Sequence, residues 1–312
     1  MTNIDNAIIN MLFSRIKLYY SQGADYMKIS HECIYCLARQ AVEIAEETTS
    51  NITMQEEIIK RSLKELGEMD FNETAPEIAF RMHQHAKNIT GINDPHKRLK
   101  EQYNEIAEEI CERIIEEKWL DKAEDPFDMA CRLAIAGNII DFSVGLKLEY
   151  SDIVKSVEDS IKHDIFGTGT TALKEAVEKS KNIMYIADNS GEIIFDKFLL
   201  ENLPANKVTY VVKGGPIVND ATMHDAISTG VVDLVRVIDN GHSAQGTILK
   251  DCSSTFRSEF NKADLIISKG QANFEALSDI KDKTIFYLLR AKCSSVASAI
   301  GCKQMDYVLT SY

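Results

Sequence analysis

Apolar side chains recur every three or four residues through the first half of the chain, in CLARQAVEIAEE, EEIIKRSLKELG, EIAFRMHQHAKNI and YNEIAEEICERIIEEKWL. That is the period of a helix with one buried face. The pattern breaks at Gly67, around Asn93-Asp94-Pro95, and at Asp125-Pro126, where proline suits a first helical turn and the preceding aspartate suits its cap. After Lys181 the period changes to short β-branched runs, NIMYIA, KVTYVV, DLVRVI, DLIIS and TIFYLL, alternating with helical stretches such as EIIFDKFLLENL and ANFEALSDI. Strands that alternate with helices form parallel sheets covered on both faces, so each strand reads as a nearly continuous apolar run. The expected fold is therefore α/β, a Rossmann-like parallel-sheet domain at 166–312 behind an all-helical N-terminal domain at 1–165.

Composition narrows the class. Of 312 residues, 45% are hydrophobic and 27% charged, enough for a sizeable core. With 48 acidic against 35 basic side chains the net charge is −13, which repels a phosphate backbone at long range, so no nucleic-acid partner is expected. A small phosphorylated metabolite stays open, because a few local cations or a bound metal invert the field within one pocket. No run approaches the length of a membrane helix and the N-terminus lacks a basic start with an apolar block, which predicts a cytoplasmic protein with no membrane partner. Seven cysteines, an odd number in a chain of this size, argue against a disulfide framework.

Polar turns follow each expected strand: Asp188-Asn189-Ser190-Gly191-Glu192, Lys213-Gly214-Gly215-Pro216, Asp239-Asn240-Gly241-His242, Ser268-Lys269-Gly270-Gln271 and Arg290-Ala291-Lys292-Cys293. In an open parallel sheet these share one edge, where such folds bind ligands. Asp188 and Asn189 leave the first strand, and Asn219 and Asp220 follow the second, so oxygen donors from neighbouring strands are available for a hard divalent ion. Each turn taken singly is better explained as a cap or loop than as a catalytic element, and it is their joint occurrence at adjacent strand ends that brings the two readings level. Lys213, Lys269, Arg290 and Lys292 belong to the same edge; Lys269 is the first choice for a phosphoryl group, because the helix start at Gln271-Ala272-Asn273 adds free N–H groups. Glu192 opens the helix after the first strand, which suits the helix dipole as well as a proton-transfer role.

Four ordered segments, DNSGEIIFDKFLLENL, KGGPIVNDATMHDA, ADLIISKGQANFEAL and LLRAKC, resemble the metal-dependent damage-control phosphatases, once catalogued as domain of unknown function 89. The resemblance extends upstream through KISHECIYCLARQA and AGNIIDFSVG, over residues 27 to 303, and is greatest to the archaeal and prokaryotic group; residues 1–26 lie outside it. It implies a divalent metal (Mn, Mg, Co or Ni) at Asp188, Asn189 and Asp220. Lys269 corresponds to the phosphate-contacting lysine, and Asn138 and Asp141 to substrate contacts, with Asn273 a further candidate beside Lys269. The implied activity is hydrolysis of phosphate monoesters of small metabolites such as sugar phosphates, in metabolite damage control. Catalytic roles are expected for Asp188, Lys269 and Glu192.

Cys33-Ile34-Tyr35-Cys36 is half of a zinc site or a redox pair, with two packed thiols as the plainer reading. Two further classes stand beside the phosphatase. An S-adenosylmethionine- or nucleotide-binding transferase lacks its glycine fingerprint, since the first strand ends in ADNSGE instead of G-x-G-x-x-G. A non-catalytic metal-binding module would unfold when stripped of metal.

Overall fold

The computed structural model describes residues 27–139 and 150–312. Every described element before Ile165 is helical: α1 (His31–Thr48), α2 (Ile52–Glu68), α3 (Ala75–Thr90), α4 (Lys97–Glu116), α5 (Trp119–Lys122), α6 (Pro126–Ala136), a 3₁₀ turn at Gly137–Ile139, and α7 (Tyr150–Ser160). Local chemistry sets the ends. Thr74 and Glu77 form a reciprocal capping box at the start of α3, with Pro76 in its first turn. Asp125 accepts the N–H groups of Phe127 and Asp128 to start α6. Gly67 does not break α2, which carries it in its last turn.

The remainder alternates: β1 (Ile165–Gly167), α8 (Gly169–Lys179), β2 (Ile183–Ile186), α9 (Glu192–Leu200), β3 (Val208–Val212), α10 (Met223–Ser228), β4 (Arg236–Asp239), α11 (Ser254–Lys262), β5 (Leu265–Lys269), α12 (Gln271–Leu277), β6 (Thr284–Arg290), α13 (Ser294–Ile300) and β7 (Tyr307–Ser311). One seven-stranded sheet results, in the order β1-β7-β6-β5-β2-β3-β4. Every neighbouring pair is parallel except β6 with β7. The five β-branched runs each overlap one of β2 to β6. Two strands were not anticipated: β1 is three residues long and too short to show a period, and β7 lies in a C-terminal tail with no helix after it.

The two-residue alternation of a strand sorts side chains to two faces. Tyr185, Tyr210, Val212, Leu265, Ile267 and Leu288 point into one core with α4, α6 and α9. Met184, Ile186, Val211, Ile266, Tyr287 and Leu289 point into the other, with α11, α12 and α13. A third cluster, including Leu37, Ile44, Ile58, Ile78 and Met82, binds α1, α2 and α3 to one another. Because β3 flanks β2 on one side and β5 on the other, the chain leaves the sheet in opposite directions there, and the loops after these strands open a crevice. Among the described residues no helix is long and apolar enough to cross a membrane.

Candidate functional site

The loops after β2 and β3 are joined by their backbones. The Ser190 N–H donates to the Asn219 carbonyl at 2.8 Å and the Ala221 N–H to the Asp188 carbonyl at 2.8 Å, so Asn189 and Asp220 pair as an antiparallel bridge. Asp188, Asn189, Asn219 and Asp220 consequently share the wall of one cleft of about 470 Å³, closed on the other side by residues of α1 and α3. Close backbone approach makes room for it. A Cβ on Gly270, whose φ is +79°, would stand 1.8 Å from Asp188 Oδ2, so only glycine fits under that carboxylate. Val218 lies just before Asn219 at φ +40°, a strained value for a β-branched residue, and its side chain lines the cleft.

Under the cleft floor lies a polar network built on Glu192, Lys269 and Asp196, none of which has exposed surface. Glu192 Oε2 accepts from Asn138 Nδ2 at 2.9 Å and Asn189 Nδ2 at 2.8 Å, and Oε1 accepts from Lys269 Nζ at 2.7 Å. Asp188 Oδ2 accepts from the same two amides, at 3.1 Å from Asn138 and 3.0 Å from Asn189. Both amides turn their NH₂ groups toward Glu192 and Asp188, and because an amide's oxygen and nitrogen point apart, the Asn189 Oδ1 is directed away from these contacts. The Asn138 Oδ1 is buried and makes no hydrogen bond among the described residues.

Lys269, expected to meet a phosphoryl group at the strand edge, is drawn into this network. It is 0% exposed, and Nζ donates to the Ala134 carbonyl at 2.8 Å, to Glu192, and to Asp196 Oδ1 at 2.5 Å. Burial opposes its charge, but Asp196 and Glu192 outweigh that and hold the ammonium above its ordinary range. Asp196 also accepts from the hydroxyls of Tyr185 at 2.6 Å and Tyr210 at 2.7 Å. Asn273 is likewise committed inside, donating to the carbonyls of Ala187 and Lys269 and accepting from Thr247. Asp141 lies outside the described residues.

The other edge cations divide. Lys213 is buried, its Nζ 3.0 Å from the Gly246 carbonyl and 3.3 Å from Asp220 Oδ2. Arg290 lies over the Tyr307 ring, 5.3 Å from its centroid. Lys292 lines the cleft with Asp188 and favours the ionised form of that carboxyl. Nevertheless burial, with Glu192 and Asp220 close by, pushes the Asp188 carboxyl well above the usual carboxylate range.

This donor set suits a divalent cation. Two nearly buried carboxylates and the oxygen of a cleft-lining amide are hard ligands, and the raised Asp188 carboxyl marks a place where additional positive charge would be stabilised. No three His, Cys, Asp or Glu side chains converge among the described residues, so an ion here would need the amide and water to complete its shell. Cys33 and Cys36 open α1 and line the outer cleft with Cys293 and Glu275. Cys33 Sγ lies 3.3 Å from Ser30 Oγ. Burial raises the Glu275 carboxyl to about 7, opposed by the Gln271 side-chain hydrogen bond. Of the histidines, His83 and His96 also reach the cleft, whereas His242 packs on Phe80 with ring centroids 4.5 Å apart.

Residues 29–308 match the family described as the damage-control phosphatase ARMT1-like domain. A protein of Pyrococcus horikoshii named a damage-control phosphatase is 39% identical over 276 residues, 87% of this chain and 93% of that protein. A damage-control phosphatase of Archaeoglobus fulgidus is 34% identical over 291 residues, 90% and 98% respectively. An uncharacterized protein of Methanocaldococcus jannaschii is 36% identical over 294 residues, 91% and 95%. Among solved structures, a crystal structure of a family 89 protein from Pyrococcus horikoshii superposes with a TM-score of 0.83 at 34% identity, covering 91% of this chain and 99% of that one.

Proposed function

Because this chain belongs to the damage-control phosphatase ARMT1-like family, we propose that it hydrolyses phosphate monoesters of small metabolites with a divalent cation held by Asp188, Asn189 and Asp220. The observation that carries this reading is the backbone pairing of the two loops, which brings two acids and an amide from separate strands to one cleft wall. A divalent ion bound there (Mn, Mg, Co or Ni) supplies Lewis acidity toward a phosphoryl oxygen and a lowered pKa for a coordinated water. The chain does the rest. Lys292 offers the cleft a positive charge toward the phosphoryl group. Glu192, fixed by Lys269, orients the Asn189 amide and thereby acts as a positioning residue. From its buried place Lys269 acts through Glu192 instead of touching the phosphate. The substrate's leaving group, a sugar or similar polar alcohol, would occupy the cleft between α1, α3 and the sheet edge; of the contacts the resemblance implies, Asn138 is committed beneath that cleft to Asp188 and Glu192, and Asp141 lies outside the described residues.

We also read the sheet as Rossmann-like, because its strand order runs outward in both directions from β2, and divide the chain into a helical part, 1–165, and an α/β part, 166–312. A cytoplasmic location fits the reading. The test is hydrolysis of p-nitrophenyl phosphate with added Mn²⁺ or Co²⁺: Asp188→Ala should abolish it while circular dichroism stays native. Metal-dependent turnover that survives in this variant removes Asp188 from the site.

A further inference from the structure

Two loops that share an ion must be held in register, and one side chain on α4 spans both of them. Asn104 is 6% exposed. Its Oδ1 accepts the Gly191 N–H at 2.6 Å, which belongs to the turn that carries Asp188 and Asn189. Its Nδ2 donates to Asp225 Oδ1 at 3.0 Å. Asp225 in turn accepts the Thr222 N–H and hydroxyl, both at 2.8 Å, through Oδ2, closing the capping box that ends the loop carrying Asn219 and Asp220.

We propose that Asn104 is a positioning residue for the metal, clamping the Asp188 turn to the Asp220 loop from the helical part of the molecule. The inference rests on the assignment of Asp188, Asn189 and Asp220 as metal ligands. Its polarity is specific. One end must accept, because Gly191 presents an N–H, and the other must donate, because Asp225 is a carboxylate already occupied by Thr222. Only an amide of this length does both at once; leucine would fill the space, but would leave a buried N–H and a buried carboxylate oxygen unsatisfied. The clamp also complements the backbone bridge. Ser190 and Ala221 tie the loops at the cleft wall, and Asn104 ties them again at the base of α9 and α10, so neither loop can tilt about the bridge.

Isothermal titration of the substrate-free protein with Mn²⁺ alone tests this. With Asn104→Ala the Mn²⁺ Kd should rise about tenfold, the scale of one lost charge-assisted hydrogen bond. Asn104→Asp should bind Mn²⁺ more weakly still, because it sets a second carboxylate against Asp225. The exchanged pair Asn104→Asp with Asp225→Asn restores one acceptor and one donor, and Mn²⁺ affinity should return to within about threefold of the parent. A residue that merely fills space would give no such recovery. Should Asn104→Ala fail to fold, the exchanged pair decides alone. A folded Asn104→Ala with parental Mn²⁺ affinity, or a folded exchanged pair binding no better than Asn104→Asp, overturns the clamp. Parental protein that binds no Mn²⁺, or an Asp188→Ala variant that binds it as the parent does, overturns the ligand assignment instead.

Discussion

A lysine with no exposed surface stays charged only through its immediate neighbours, and for Lys269 these are Asp196 and Glu192. Removing the ammonium leaves two buried acids without their counter-charge, held by hydroxyl and amide hydrogen bonds. Lys269→Met should therefore cost about 3–5 kcal/mol in urea denaturation, the range for breaking a buried ion pair; a loss under about 1 kcal/mol would mean that the ammonium forms no ion pair of consequence there. At Gly270 the constraint is steric. A methyl group at this positive-φ position meets Asp188 Oδ2 at 1.8 Å, so Gly270→Ala should displace the carboxylate and lower Mn²⁺-dependent turnover at least about 100-fold, measured on p-nitrophenyl phosphate. Glu275 makes a prediction about pH. Its carboxyl is raised to about 7 in the folded protein, chiefly by burial, whereas an unfolded glutamate titrates near pH 4.3. Between those values the native state keeps a proton that the unfolded state releases, so stability falls as pH rises through this window and levels off above it. Relative to the parent, Glu275→Gln should therefore be more stable at pH 8 than at pH 5 by about 2–3 kcal/mol. Chemical denaturation at the two pH values reads that difference directly, and parallel curves for both proteins would show that Glu275 titrates normally.

At the scale of elements, α6 connects cap chemistry to the site. Its N-terminus is fixed by Asp125, and its far end delivers the Ala134 carbonyl to Lys269 and leads through the 3₁₀ turn to Asn138. Asp125→Ala should lose about 1 kcal/mol by thermal melting, the usual value of an N-cap, with little effect on Mn²⁺ affinity, because the other end of the helix is packed in the core. This asymmetry reflects what a sequence makes legible. Local signals located the amphipathic N-terminal helices and the strands β2 to β6, since the apolar periods, Asp125-Pro126 and the β-branched runs act through neighbours a few residues away. The polar turns after those strands could be assigned to one edge, because parallel strands all end on the same side. Which face of the edge a side chain enters was less legible. Lys269 closes β5 on the same face as Leu265 and Ile267, and its partners Ala134 and Asp196 lie 135 and 73 residues away, so nothing near it in the chain announces burial. Asn104 escaped notice for a related reason. In KRLKEQYNEIAEE it resembles any polar residue on a charged helix, and its function as a clamp depends on loops that begin more than 80 residues later.

For the molecule as a whole, the placement of the cleft decides between a catalytic and a structural ion. Asp188, Asn189 and Asp220 stand at the mouth of a sheet whose central strands β2 and β5 are buried on both faces, over two apolar clusters that do not include them. Lys269 is held by Ala134, Glu192 and Asp196 within the protein, and the proposed donors Asp188, Asn189 and Asp220 line the cleft between the sheet edge and α1 and α3. Metal bound there would stabilise the fold only by mass action, about 2.7 kcal/mol at a hundredfold excess over Kd. In a protein of this size that amounts to a melting-point rise of several degrees. Chelation should therefore abolish phosphatase activity reversibly, lower Tm by no more than about 10 °C, and leave a cooperative transition. A structural ion behaves differently, because its binding energy is folding energy and its removal leaves no native state to melt. Differential scanning calorimetry of the chelated protein separates the two: loss of the transition would assign the ion to the fold, whereas a retained transition with activity recovered on adding Mn²⁺ assigns it to the chemistry.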